Sequence, residues 1–253
     1  MTTQHALTEY LLRLGDSDII LAQRLCEWVG NAPALEEEMA LGNVALDLIG
    51  QARSWLEYAA ELQGEGRSAD DLSFRRNERE YRNLLITEQA NGNYADTLAR
   101  QYLFDAWHYY LLQALCDSKD ARIAAIAAKA LKEVTYHLRR SSAWIKRLGD
   151  GTDESHQNMQ QAIDDIWTYS GEMLMADDID NLLVEAGIAP DSAAIKAQWQ
   201  AHVSATLKEA TLDCPPMDSY MQQGGKQGLH TEQLGYLLAE MQFLPRAYPD
   251  AVW

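Results

Sequence analysis

The amino-acid sequence predicts an all-α protein with a four-helix bundle core and additional C-terminal helices. The chain of 253 residues contains 6 Pro and 15 Gly, which leaves few turns for a protein built from many short strands. Its long uninterrupted segments repeat apolar residues three and four positions apart, which is the spacing of one helix face. Glycine or proline follows most of these segments. We therefore expect four long helices with short or moderate connections.

Capping residues, glycines and prolines set the expected boundaries of each helix. The first helix should follow Asp16 and Ser17, two residue types that cap helix N-termini, and end at Gly30. The remaining helices are expected at about residues 35–62, 94–116, 122–148, 156–186 and 192–211, and from about Thr231 onward. We expect a single ferritin-like helical domain, residues 1–253, with the bundle core at about 12–150 and a helical C-terminal extension at about 156–253.

The acidic composition of the chain limits the partners that it can bind. There are 21 Lys plus Arg against 38 Asp plus Glu, which gives a formal net charge of −17. Nucleic acids and anionic membrane surfaces are bound through basic patches, so neither is an expected partner. No apolar run approaches the ~20 residues of a membrane span. The three cysteines form no paired motif, so we expect reduced thiols and a cytoplasmic location.

Polar residues interrupt three predicted helices on or beside the faces that should be apolar. Asp105 and His108 stand three positions apart in the third helix, and Glu133 and His137 stand four apart in the fourth. Asp47 belongs to a polar line beside the apolar stripe of the second helix. Buried carboxylates and imidazoles are costly unless they are paired or bind a metal ion. These residues therefore need partners.

A carboxylate-bridged di-iron site in a helical bundle would supply such partners. That site takes one Glu from each of two helices and a Glu-x-x-His pair from each of the other two. Here the pairs are Asp47-x-x-Gly50 and Glu133-x-x-Tyr136, and neither ends in histidine. His137 stands one position late and is rotated by about 100° around the helix axis. The pattern predicts a metal site that has been lost.

Three interpretations of these polar positions stay open from the residues alone. They form a hydrogen-bonded network across the core, or they lie exposed on faces that the periodicity misassigns. Alternatively, they form an atypical metal site in an independent metal-binding oxidase. The residues of such a site would be Asp105, His108, Glu133 and His137. In the first helix, the equivalent ligand position falls on either Gln23 or Glu27.

A glycine-rich loop precedes the last predicted helix and contains a lysine. The segment Gly224-Gly225-Lys226-Gln227-Gly228-Leu229-His230 could present backbone N–H groups and a cation to a phosphate. It lacks the spacing of a Walker loop and does not obviously follow a strand. Lys226 and His230 are therefore candidate contacts for a phosphate or a partner protein. The alternative is a loop that only orders the last helix.

Several long stretches, in order along the chain, carry a resemblance to a known family. The sequence is similar to the structural, non-catalytic subunits of the bacterial phenylacetyl-CoA epoxidases, also called ring 1,2-phenylacetyl-CoA monooxygenases. The resemblance covers nearly the whole chain from about Leu12 to Trp253. The matching stretches are LRLGDSDIILAQRLCEW, MALGNVALDLIGQARSWLEYAAEL, NGNYADTLARQYLFDAWH, KALKEVTYHLR, RLGDGTD and GGKQGLHTEQLGYLLAEMQFLPR.

The resemblance implies a ferritin-like, non-catalytic member of a multicomponent oxygenase of phenylacetate degradation. A related catalytic subunit would carry the di-iron centre and perform the chemistry. A reductase with FAD and an iron–sulfur cluster would pass electrons from NADPH. This chain would bind no cofactor itself and would hold the catalytic subunit in its active form. The other epoxidase subunits are further expected partners, and self-association of the chain alone stays open.

The resemblance also bears on individual residues of the degenerate site. Gly50 and Tyr136 occupy positions at which the family's iron-binding subunit would need histidines. No iron-ligand role is therefore carried over to this chain, and the polar residues are expected to form a remnant network. These residues are Asp47, Asp105, His108, Glu133 and His137. Because the substrate of the family carries coenzyme A, Lys226 becomes a candidate contact for its phosphates.

Overall fold

The computed structural model describes residues 1–251, and every regular element in that range is helical. The all-α prediction is therefore confirmed. In chain order, the helices are α1 (Thr3–Cys26), α2 (Leu35–Gln63), α3 (Ala69–Phe74), α4 (Leu85–Glu88), α5 (Tyr94–Leu115), α6 (Ala121–Gly149), α7 (Asp153–Trp167), α8 (Asp178–Glu185), α9 (Ser192–Glu209), α10 (Glu232–Met241) and α11 (Phe243–Ala247). Short 3₁₀ turns lie at Glu78–Glu80, Gly171–Leu174 and Gly225–Gln227.

The chain divides into two compact units, and the first combines its two ends. It contains residues 1–90 and the C-terminal residues from Gln223 onward. The long helices α1 and α2 pack side by side. Gly15 permits their close approach, because a Cβ atom there would lie 2.6 Å from Cγ of Leu56. Ile20 of α1 and Leu234 of α10 belong to one buried apolar cluster, so α10 packs onto the helical pair.

The second unit, residues 91–222, is built around α5. This helix packs against α6, α7 and α9, and most of its residues are buried. Asn93 starts the helix with a capping box, in which its side chain accepts from the backbone N–H groups of Ala95 and Asp96. Trp199 links α9 to α5, because its indole N–H donates to the carbonyl oxygen of Leu103 at 3.0 Å. The fully buried indole is thus also hydrogen-bonded.

The expected start of the first helix is wrong. Helix α1 begins at Thr3, and its N-cap is Thr2, whose side chain accepts from the N–H of His5. Asp16 and Ser17 are buried in the middle of this helix. Both side chains bond to other segments, so they are not caps; the Ser17 hydroxyl, for example, accepts from the backbone N–H of Leu84 at 3.1 Å.

The long helix expected at about 156–186 is also wrong, because the chain breaks it into α7 and α8. Helix α7 ends at Trp167, and a new capping box formed by Asp177 and Asp180 starts α8. Between them, Gly171 lies so close to the side chain of Met221 that no Cβ atom fits there. The intervening segment therefore contains no α-helix, only the 3₁₀ turn at Gly171–Leu174.

The other long helices agree with their expected ranges within about two residues, which is the usual uncertainty of helix ends. The four long helices expected for the bundle form two packed pairs: α1 with α2 in the first unit, and α5 with α6 in the second. The units differ from the expected core and extension, because α10 and α11 belong with α1 and α2. That the chain is a single domain stays a prediction. Across residues 1–251, the structure contains no helix that is both long and apolar enough to span a bilayer.

Candidate functional site

A buried polar network ties α5 to α6 in the second unit, with Asp105 at its centre. Asp105 is 1% exposed. Its Oδ1 accepts from Nε2 of Gln101 at 2.7 Å, and its Oδ2 accepts from the hydroxyl of Ser141 at 2.8 Å. The Ser141 hydroxyl also lies 3.0 Å from the carbonyl oxygen of His137. Both oxygens of the carboxylate are therefore engaged by protein donors.

Burial sets the protonation of Asp105. Removal from water raises the pKa of Asp105 to about 6, against the opposing effects of nearby His137 and of the hydrogen bonds from Ser141 and Gln101. At neutral pH this carboxyl group is still mostly ionised. The hydrogen bonds and the neighbouring imidazole thus compensate part, but not all, of the cost of burying the charge.

His108 lies on the same helix as Asp105 and is buried among aromatic rings. Its ring centroid is 5.1 Å from that of Phe104 and 6.0 Å from that of Trp107. Burial, with a smaller electrostatic contribution from His137, lowers the pKa of His108 to about 3. The imidazole is therefore neutral at physiological pH and behaves as part of an apolar core.

The polar residues predicted on α2 lie in a different environment. Asp47 is half-buried, and Gly50 is exposed. A Cβ atom built on Gly50 would meet nothing within 4 Å. The side chain of a histidine at this position would therefore start from an open surface, whereas Asp105 and His108 lie in the core.

The residues predicted on α6 also differ in their exposure to solvent. His137 is buried, with 1% of its surface exposed, and it is the member that interacts with Asp105. Tyr136 is 41% exposed, and the guanidinium of Arg139 lies 5.7 Å from the centre of its ring. Glu133 is half-buried at the edge of the helix face. The one-residue offset of His137 from Tyr136 thus decides which of the two points inward.

The residues at these positions do not fit a carboxylate-bridged di-iron centre. Gly50 has no ligating atom, Tyr136 lies on the surface, and both oxygens of Asp105 are already hydrogen-bonded within the protein. Within residues 1–251, no three His, Cys, Asp or Glu side chains are grouped so that they could hold a metal ion. Asp105 is instead hydrogen-bonded to Gln101 and Ser141 in the core, and the Ser141 hydroxyl also contacts the backbone carbonyl of His137.

A second buried ionic centre, which residue spacing does not reveal, lies in the first unit. Glu88 and His230 are both 0% exposed at their side chains, and Nδ1 of His230 lies 2.9 Å from Oε2 of Glu88. The same carboxylate accepts from Nδ2 of Asn83 at 2.9 Å and from the backbone N–H of Thr231 at 2.6 Å. Nε2 of His230 lies 3.1 Å from the carbonyl oxygen of Tyr81. This centre joins the C-terminal segment to the segment around α4.

The hydrogen-bond geometry of His230 indicates an imidazolium. Nε2 faces a carbonyl oxygen, which can only accept, so Nε2 carries a proton. Nδ1 faces the Glu88 carboxylate, which likewise accepts a hydrogen bond, so Nδ1 also carries a proton. Burial alone would lower the pKa of His230, but the hydrogen bond and charge of Glu88, together with the Tyr81 carbonyl, raise it above its ordinary value. His230 and Glu88 thus form a buried ion pair.

Asp16 forms a further buried ion pair in the same unit. Nη1 of Arg76 donates to Oδ2 of Asp16 at 3.0 Å, and Nη2 contacts Oδ1. The backbone N–H of Arg82 donates to Oδ2 at 2.8 Å. The sequence does show an aspartate in the middle of α1, which indicates a buried charge that needs a partner. That partner, Arg76, lies 60 positions away. Spacing along one helix could not identify that partner.

The glycine-rich loop is folded back on itself. The N–H groups of Gln227 and Leu229 both donate to the carbonyl oxygen of Gly224 at 2.9 Å. His230 has no ring nitrogen left for a phosphate, because Glu88 and the Tyr81 backbone engage both. This arrangement is typical of a loop that orders the helix after it. The expectation that half-buried Lys226 contacts a phosphate or a partner stays a prediction.

Comparison with known proteins places these features in a family. The sequence model described as phenylacetic acid catabolic protein matches residues 1–253. One curated relative is the C subunit of the 1,2-phenylacetyl-CoA epoxidase of Escherichia coli (strain K12). It is 55% identical over 247 residues, which cover 98% of this chain and 99% of the relative. The aligned length therefore includes residues of both compact units.

Proposed function

The chain belongs to the phenylacetic acid catabolic protein family, and we propose that it is the structural subunit of a phenylacetyl-CoA 1,2-epoxidase of aerobic phenylacetate degradation. The observation that carries this proposal is the 55% identity to the Escherichia coli relative across almost the full length of both chains. The similarity therefore extends along almost the whole chain and is not confined to one short motif.

The donor chemistry of the degenerate site supports a non-catalytic role. A glycine and a surface tyrosine stand where a di-iron subunit would need histidines. The buried carboxylate among the predicted residues, Asp105, is held by Gln101 and Ser141. In this proposal the chain supplies a folded surface to the complex and takes no part in oxygen activation or proton transfer.

The proposal assigns the cofactors to other subunits. The catalytic subunit holds the di-iron centre, which supplies the oxygen-activating chemistry, and the reductase holds FAD and an iron–sulfur cluster that accept electrons from NADPH. This chain binds none of these groups and contacts the catalytic subunit. We place the complex in the cytoplasm, where the three free thiols of this chain stay reduced.

Genetic complementation tests the proposal in a cell. An Escherichia coli strain that lacks its own equivalent of this chain is transformed with it and grown on phenylacetate as the carbon source. Restored growth is the expected result. A control strain that lacks the catalytic subunit instead should not grow when it receives this chain. Growth of that control would contradict the structural role.

Reconstitution separates a structural subunit from an independent metal-binding oxidase. The purified chain alone should convert no phenylacetyl-CoA, while the catalytic subunit with the reductase should be active when this chain is added. Asp105→Asn and His108→Gln should leave the rate of the assembled complex within about twofold, because neither residue meets the substrate. A substantial rate from the chain alone, abolished by His108→Gln, would favour the oxidase.

A further inference from the structure

One face of α2 is apolar and exposed to solvent along half of the helix. Leu35, Met39, Leu46 and Ile49 are 69%, 61%, 66% and 38% exposed. They recur at the spacing of a single helix face and span about 21 Å at 1.5 Å per residue. We call this row, residues 35–50, the α2 stripe. A solvated helix face is normally polar, so a stripe of this length favours an interaction surface.

Two glycines lie within the α2 stripe, and nothing in the described part of the chain requires them. A Cβ atom on Gly42 or Gly50 would meet no atom within 4 Å. Gly15 of α1 shows the contrast, because its missing side chain makes room for Leu56 of the neighbouring helix. Glycine in a helix interior is destabilising, and it is retained where another backbone or side chain approaches closely. Within residues 1–251 nothing approaches Gly42 or Gly50 in that way, which leaves an external partner.

The charges beside the stripe indicate the chemistry of that partner. The first turn of α2 carries three acidic residues, Glu36–Glu38, while the cation at the other end, Arg53, is hydrogen-bonded to Glu57 at 2.7 Å. A second copy of this chain would bring the same acidic turn and a further net charge of −17. A chain with lysines or arginines beside its own apolar side chains is complementary.

We propose that the α2 stripe docks a helix of the catalytic subunit of the same epoxidase. The docked helix presents apolar side chains to Leu46 and into the open positions at Gly42 and Gly50, and it sets basic side chains beside Glu36–Glu38. This inference rests on the proposed function, which supplies the catalytic partner. It adds which surface of this chain makes the contact.

The test measures binding between this chain and its tagged cognate catalytic subunit. Leu46→Glu introduces a charge at the centre of the stripe and should weaken binding at least tenfold. Leu244→Glu on α11 is the matched control, since Leu244 is also an exposed leucine on a helix, 48% exposed, and lies outside the stripe. It should change binding less than twofold. Circular dichroism of both variants should equal that of the unmodified chain, because neither side chain is buried.

A second variant separates docking from folding. Gly50→Ala should raise the melting temperature of the isolated chain, because alanine favours the helix and has space there. The same substitution should weaken binding to the catalytic subunit severalfold by filling the open position. If Gly50 had no role in docking, the substitution would raise the melting temperature without weakening binding to the catalytic subunit.

The outcomes distinguish this inference from the function on which it rests. If the unmodified chain does not bind the catalytic subunit, the proposed function fails. If it binds, and Leu46→Glu binds equally well, the α2 stripe is not the docking surface, while the proposed function stands. If sedimentation shows that Leu46→Glu dissociates a dimer of this chain without weakening the binding of the catalytic partner, the stripe belongs to a second copy and the inference is overturned.

Discussion

Nδ1 of His230 lies 2.9 Å from Oε2 of Glu88, although the two residues are 142 positions apart in the sequence. Both side chains are fully buried. The pair joins the segment before α10 to α4, so the C-terminal part of the first unit is held by a charge as well as by apolar packing. A buried pair of this kind is strongly destabilising to break, because the remaining partner is left uncompensated.

Glu88→Gln should reveal this pair through its pH dependence. Because the folded pKa of His230 is raised, the pair contributes fully below the ordinary histidine pKa, about 6.5, and the contribution is lost as the pH rises through the folded pKa. The substitution should lower the free energy of unfolding by about 3–5 kcal/mol at pH 6, and by less at a pH above the folded pKa of His230. Urea unfolding at both pH values measures the difference. Glu57→Gln, on the exposed pair with Arg53, is the control and should show little effect.

The free energy of unfolding of Asp105→Asn, relative to that of the unmodified chain, should rise with pH. The folded pKa of Asp105 is about 6, above its value in an unfolded chain. The protonated form therefore stabilises the fold below about pH 4, and that contribution is lost as the pH rises through 6. Asparagine cannot ionise, so its stability relative to aspartate should rise by about 2–3 kcal/mol between pH 4 and pH 8. Equal differences at the two pH values would show that the carboxyl group is not desolvated.

His108→Gln should reduce the sensitivity of the protein to acid. The folded pKa of His108 is lowered to about 3, so its contribution to stability is present above about pH 6.5 and is lost as the pH falls toward 3. Glutamine stays neutral throughout this range. The melting temperature should therefore fall less steeply between pH 7 and pH 4 in the variant than in the unmodified chain. An unchanged slope would mean that the imidazole accepts a proton without unfolding.

Gly228→Ala should destabilise the glycine-rich loop. Gly228 has a φ of 77°, a left-handed conformation, and its missing Cβ faces the carbonyl oxygen of Arg79. The backbone strain and the steric overlap together should cost about 2–5 kcal/mol. Gly42→Ala is the control, because the helix there has open space, and it should stabilise the chain by about 0.5–1 kcal/mol. Chemical unfolding of both variants measures the contrast.

Anaerobic loading with ferrous iron should leave well below one iron per chain after the excess is removed. The donor set has neither of the Glu-x-x-His pairs that a di-iron site needs. Atomic absorption on the desalted protein measures the ratio. One or two tightly held irons per chain would revive the alternative of an independent oxidase, and His108 and His137 would be the first residues to replace.

The helix ranges that the sequence predicted well are those bounded by local turn signals. Helices α2, α5 and α6 were expected within about two residues of where they lie, because Gly64 follows α2, Gly92 precedes α5 and Gly149 ends α6, and such glycines are local signals. The start of α1 was missed for a physical reason. Aspartate and serine are typical caps, but Asp16 and Ser17 bond to Arg76 and Leu84 from mid-helix, and those partners come from remote segments.

The sequence by itself determined the helical class, the family resemblance and the lack of histidines at Gly50 and Tyr136, since each depends on residue type and local order. Tertiary structure decided which polar residues are buried and what holds them. Asp105 and His137 are buried close together, whereas Tyr136 lies at the surface. Glu88 and His230 form a buried pair. Burial and pairing depend on segments that meet only when remote parts of the chain pack, and spacing within one helix carries no record of that packing.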